Sequence, residues 1–191
     1  MLTLPEELRT LGSMALLALS KTVFLCSRAY PAAIERDTYR WAMEQRQQRR
    51  CIASGFHSRL EQTVYHFLRQ APEQPILYVL GRGIQPNTAS EHEADLKRGH
   101  LLFITPFEPE VNAVSFETAA IRNLLLADMA DDFFIPYMTP GGNLAQLMAD
   151  SMVRDKPLLT LDVPGNAALA HPGVRVYRPD WLLNSRRRAT F

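Results

Sequence analysis

Four short turns carry residue types suited to holding an anion: Ser27-Arg28, Ser54-Gly55-Phe56-His57-Ser58, Gly81-Arg82-Gly83 and Pro140-Gly141-Gly142-Asn143. Glycine lets the backbone approach a ligand closely. Free N–H groups at a helix start, together with the helix dipole, favour phosphate. The hydroxyls of Ser27, Ser54, Ser58 and Thr139 add donors, and Arg28 and Arg122 supply guanidinium forks that match phosphate oxygens. Of the five histidines, only His57 falls in one of these turns, where it reads as a polar turn residue rather than a catalyst.

Other chemistries find no support. The Gly-x-Gly-x-x-Gly of dinucleotide enzymes and the Lys-Ser/Thr ending of a phosphate-binding loop are both missing. No serine sits in a Gly-x-Ser-x-Gly elbow. The two cysteines, Cys26 and Cys51, match neither a zinc spacing nor a disulfide framework, so buried thiols are expected. No cofactor and no metal are called for. The net charge of +1 makes the chain as a whole no polycation, so nucleic-acid binding has to come from local patches. Arg46, Arg49 and Arg50 form one such patch and Arg186-Arg187-Arg188 another.

The elements that position these turns follow from short apolar runs alternating with amphipathic segments. Val23-Phe24-Leu25-Cys26, Cys51-Ile52-Ala53 and the runs 76–80, 101–104, 133–136 and 158–161 read as buried strands, with a last short strand at 174–177. Segments 31–48, 59–69, 116–129 and 143–152 read as helices. In 59–69, Leu60, Val64, Phe67 and Leu68 share one face. Strands separated by helical crossovers predict a Rossmann-like α/β three-layer sandwich, its mostly parallel sheet flanked by helices. In such a sheet ligands bind beyond the carboxyl ends of the strands, where the four turns fall. The polar stretch 81–99 reads as a surface excursion. Residues 1–20 read as an N-terminal helical extension, 21–180 as a single domain and 181–191 as a basic tail. The apolar run at 14–19 is too short to span a bilayer, and a cytoplasmic protein is expected.

As a set, the turns resemble the Rossmann-like domain of the DprA/Smf (DNA-processing protein A) family, in the superfamily that includes the Lonely-guy phosphoribohydrolases. Phe24-Leu25-Cys26-Ser27-Arg28 resembles that family's Gly-Ser-Arg turn, with Cys26 in the glycine place. Ile52-Ala53-Ser54-Gly55 resembles its second-strand Ser-Gly, and Leu60-Glu61 followed by His66 is a loose version of its Gly-Ile-Asp…His helix. The run from Ile121-Arg122-Asn123 through Asp131 follows its Arg-Asn-Arg-Ile-Ile-Ala-Gly-Leu-Ser-Asp helix, and Gly142-Asn143-Leu144 its Gly-Ser-Leu turn. The resemblance spans residues 21–162. Phe56-His57-Ser58-Arg59 departs from the family's pattern in the second-strand loop.

The resemblance implies a phosphate pocket built from Ser27, Arg28, Ser54, Gly55, Arg122, Asn123, Gly141 and Gly142, beside Thr139 and Asn143. Single-stranded DNA or a nucleotide-derived ligand is the implied partner, in a homo-oligomer and with a role in DNA processing or recombination. The hydrolase branch has Pro-Gly-Gly-x-Gly-Thr followed by a catalytic glutamate. Here Pro140-Gly141-Gly142 and Arg122 fit, but Asn143-Leu144-Ala145-Gln146-Leu147-Met148 puts apolar residues at the glutamate place. Glu117 reads as a surface residue. The expectation is therefore a binding protein, with a nucleoside-monophosphate phosphoribohydrolase and a non-enzymatic nucleotide sensor as alternatives.

Overall fold

The computed structural model describes residues 7–150, 153, 155–169 and 173–179. The strands are β1 (Arg9–Gly12), β2 (Lys21–Phe24), β3 (Cys51–Ser54), β4 (Ile76–Val79), β5 (Leu101–Thr105), β6 (Asp132–Ile135), β7 (Leu158–Thr160) and β8 (Val174–Val176), and β2 to β7 fall on the short apolar runs. They form one eight-stranded sheet in the order β1-β5-β4-β3-β2-β6-β7-β8. β1 is antiparallel to β5, and the other neighbours are parallel. The alternation of side chains across the pleat divides the core in two. Val23, Ala53, Leu77, Phe133 and Leu158 face one side, while Phe24, Ile52, Ile76 and Phe134 face the other.

Helices cover both sides. α1 (Glu35–Gln48) and α2 (Arg59–Leu68) bury Trp41, Ala42, Leu60, Val64 and Leu68 against the second face. α5 (Phe116–Met129) and α6 (Asn143–Met148) bury Leu125, Leu126, Leu144 and Leu147 against the first. Reciprocal side-chain caps start α2 and α5: Ser58 with Glu61, and Ser115 with Thr118. The architecture is the predicted Rossmann-like α/β sandwich. Because β2 has β3 on one side and β6 on the other, the winding direction reverses at β2, which opens a crevice beyond its carboxyl end.

Three expectations change. The expected N-terminal helix is replaced, from residue 7 onward, by β1 and a 3-10 turn at Met14–Ala18. Edge pairing with β5 and burial of Leu16 outweigh the helical propensity of Met14-Ala15-Leu16-Leu17. Gly12 allows the tight step between them: its φ is +119°, and a Cβ there would sit 2.2 Å from the Leu101 carbonyl oxygen. The 81–99 excursion holds two short helices, α3 (Thr88–Glu91) and α4 (Glu93–Arg98), with α4 packed on β5 and β1. α6 stops at Met148 rather than at residue 152. Residues 1–6 and Arg186-Arg187-Arg188 lie outside the described residues. Among those described, no helix is long and apolar enough to cross a membrane. Cys26 and Cys51 are buried free thiols. Burial raises both, Cys51 to about 11.

Candidate functional site

The crevice at the winding reversal is a cleft of about 540 Å³. The loops after β2 and β6 are tied together at its base. The Ser27 N–H donates to the Tyr137 carbonyl (3.1 Å), and the Thr139 N–H donates to Ser27 Oγ (2.8 Å). The Thr139 hydroxyl reaches the Ala29 carbonyl at 3.3 Å. Ser27 and Thr139 therefore line the cleft and also hold its two walls together.

Arg122 forms the floor and is only 5% exposed. Its Nε and Nη2 donate to Asn123 Oδ1 at 3.2 and 2.9 Å, which fixes the plane of the guanidinium. The stem lies on Gly55, where a Cβ would meet Arg122 Nε at 2.7 Å. Gly55 is thus required by the arginine beside it rather than by its own backbone angles. Burial pulls the Arg122 pKa down from its ordinary value, and the nearby Glu61 charge opposes this.

Glu61 connects two strand-end loops. One carboxylate oxygen accepts from the Cys26 N–H (2.8 Å), and the other accepts from His57 N–H (2.6 Å) and Ser58 N–H (2.9 Å). Burial pushes this carboxyl up from its ordinary range, against the pull of those N–H donors and of Arg122. Glu61 is the third residue of α2, so its position follows from the Ser58-x-x-Glu61 cap. That cap pattern was the signal available in the sequence for a residue the site prediction left out.

Arg28 stands at the wall with its Nε donating to His57 Nε2 at 2.8 Å, and its Nη2 against the same nitrogen. An accepting Nε2 requires the imidazole to be neutral and protonated on Nδ1. Burial, then the charges of Arg122 and Arg28, lower the His57 pKa to about 4. His57 is thus a neutral acceptor that orients an arginine, a role its sequence position alone did not reveal. Phe56 precedes it in the left-handed region (φ +42°), with its ring fully buried against Tyr65 and Tyr78. The Ser54 hydroxyl accepts from Phe56 N–H at 3.0 Å to close that turn.

The structure brings Ser27, Arg28, Arg122, Asn123, Thr139, Gly142 and Asn143 to one cleft, together with His57, Glu61 and Phe116. Ser54 and Gly55 act from behind it, and Gly141 (φ +72°) shapes the turn without lining it. Gly81 lies under Val114 and near Arg122 Nη1, but none of residues 81–99 lines the cleft. Arg46, Arg49 and Arg50 sit at the end of α1 and the start of β3, at the opposite end of the sheet. There Arg46 covers the Phe67 ring at 4.3 Å, Arg49 pairs with Glu73 at 2.5 Å and Arg50 approaches Asp132 at 3.8 Å. Leu144, Leu147 and Met148, which follow the Gly-Gly turn, are buried core residues. Glu117 is exposed and does not line the cleft.

No protein-family model matches the chain, and no curated protein matches its sequence. Solved structures do match. DNA processing protein A from Helicobacter pylori, described with a single-stranded DNA binding mode, superimposes with a TM-score of 0.73 at 16% identity, over 97% of this chain and 88% of that one. DprA from Streptococcus pneumoniae gives 0.74 at 13% identity, over 93% of this chain; this chain spans 65% of its length. The molybdenum cofactor binding protein from Rippkaea orientalis gives 0.57 at 10% identity, over 91% and 98%. At such identities the likeness is one of fold: the chain has the Rossmann-like fold seen in DNA processing protein A and in a molybdenum cofactor binding protein.

Proposed function

We propose that the cleft binds a phosphate-bearing ligand, first of all a segment of single-stranded DNA. The observation that carries this is the convergence of two guanidiniums, Arg28 and Arg122, on a cleft whose one carboxylate, Glu61, is buried and accepts three backbone N–H bonds. Beside them Phe116, 66% exposed, offers a flat apolar surface on which a base can stack. The DNA-binding mode described for the Helicobacter pylori neighbour, which shares the fold, supports this reading. Arg46, Arg49 and Arg50 have no part in it, since they face the other end of the sheet.

Fluorescence anisotropy with short labelled oligonucleotides tests the proposal. Binding should weaken steeply with salt, and Arg28→Ala should weaken it further and reduce the salt slope by about one. Undiminished binding by the variant removes DNA from this cleft. A second reading, a soluble nucleotide, is favoured by the cleft volume of about 540 Å³, which lies within the range of small-molecule sites. A mononucleotide that raises the melting temperature while oligonucleotides leave it unchanged selects that reading. Free base released from AMP at an enzymatic rate would instead restore the phosphoribohydrolase alternative.

A further inference from the structure

Both arginines of the cleft have the same edge of the guanidinium engaged by a single atom. In Arg122 the Nε and Nη2 donors converge on Asn123 Oδ1, and in Arg28 they converge on His57 Nε2. That edge is one with which an arginine grips a phosphate through two parallel bonds. The two cases differ in what holds the partner. Asn123 is buried and follows Arg122 on the same helix. Arg28 and His57 stand on separate loops that both line the cleft, and Arg28 is exposed. Two phosphate oxygens fit the Arg28 edge better than one imidazole nitrogen does.

The backbone keeps His57 at the cleft whichever partner Arg28 takes. The His57 N–H donates to Glu61 at 2.6 Å, and Phe56 before it is anchored by a buried ring. The charged and titratable groups that line the cleft with His57 are Arg28 and Cys26 from the β2 loop, Glu61 from α2 and Arg122 from α5. Burial keeps Cys26 a thiol, and Glu61 already accepts three backbone N–H bonds. Burial and the two arginine charges hold the His57 ring at about 4. A phosphate on Arg28 offsets the arginine part of this and places a negative charge beside Nε2.

We propose that His57 is itself a phosphate contact: displaced from Arg28 by the ligand, its Nε2 takes a proton from solvent and donates it in a hydrogen bond to the phosphate. No other bond is made or broken, and both ring nitrogens then carry hydrogens. The inference rests on the phosphate-binding reading of the cleft and adds a third cation and a proton linkage to it. A ligand that raises the proton affinity of His57 is, by reciprocity, bound more tightly as the pH falls. If the bound ring recovers its ordinary 6.5 from about 4, affinity gains about tenfold between about pH 8 and about pH 5.5.

A short oligothymidylate without a terminal phosphate is the probe, because neither thymine nor a phosphodiester titrates in this range. Calorimetric titration of the full chain in two phosphate-free buffers of different ionisation enthalpy counts the protons taken up. At about pH 5.5 binding should take up about one proton, and at about pH 8 close to none. The salt slope should be steeper by about one at the lower pH. His57→Gln, whose carbonyl can still accept from Arg28, should lose both the proton uptake and the gain in affinity on acidification. Binding without proton uptake, or uptake that persists in His57→Gln, overturns the proposal while leaving the cleft a phosphate site. A probe that binds at neither pH overturns the DNA reading and this inference together. Should His57→Gln fail to fold, the imidazole resonances of the native chain at about pH 5.5 decide. They should pass from neutral to protonated as the probe is added, and a ring that stays neutral overturns the proposal.

Discussion

Replacing His57 with glutamine is the most direct test of how the cleft is organised. A glutamine carbonyl can reach the place of Nε2 and accept from Arg28, but it cannot titrate. In the native chain burial, with Arg122 and Arg28, holds the imidazole at about 4 instead of 6.5. On acidification the unfolded chain therefore takes up this proton before the folded one does. Stability then rises with pH across the window from about 4 to 6.5 and is lost as the pH falls through it. Undiscounted, that separation corresponds to about 3.4 kcal/mol at 1.36 kcal/mol per pKa unit. The ring is only half-buried, so solvent screening reduces the expected effect to about 1–2 kcal/mol. For a chain of this length that is roughly 2–8 °C in melting temperature. Urea unfolding of wild type and His57→Gln at about pH 7 and about pH 4 isolates the contribution as a difference of differences. Wild type should lose about 1–2 kcal/mol more than the variant. Equal acid sensitivity, or an imidazole that titrates near 6.5 by NMR, would refute the account of His57 as a neutral acceptor for Arg28.

Gly55→Ala places a methyl 2.7 Å from Arg122 Nε, so it should cost about 1–3 kcal/mol through overpacking and weaken anion binding by displacing the guanidinium. Thermal melting and an oligonucleotide titration read the two effects separately, and unchanged affinity would exclude Arg122 as a contact. Arg49 ends α1 with φ +51°, a conformation that glycine adopts without strain. Arg49→Gly should stabilise the chain by roughly 0.5–1 kcal/mol, since the exposed pair with Glu73 offsets little; a lower urea midpoint contradicts this. Ser58→Ala removes the acceptor for the Glu61 N–H and should cost about 1 kcal/mol by the same assay.

Much of the fold was legible in local pattern. The helix Phe116–Met129 matches the segment predicted from sequence, and the buried strands fall on short β-rich apolar runs, as side-chain periodicity requires. The turns at the ends of β2 and β6 supplied Ser27, Arg28, Thr139, Gly142 and Asn143 of the cleft lining, because a parallel sheet collects such turns at one end. What local pattern could not give was pairing. β1 is a strand because β5 offers it an edge, and nothing in Arg9-Thr10-Leu11-Gly12 signals that partner. Arg46, Arg49 and Arg50 read as a free basic patch, yet contacts with Phe67, Glu73 and Asp132, all distant in sequence, engage them away from the cleft. Glu61 and His57 look like ordinary cap and turn residues. Only tertiary structure buries Glu61 under two loops and sets His57 between two arginines. The physical reason is that secondary structure follows from interactions a few residues apart. The charge state and orientation of a site depend instead on desolvation and on neighbours supplied by strand order, and chain spacing does not encode these.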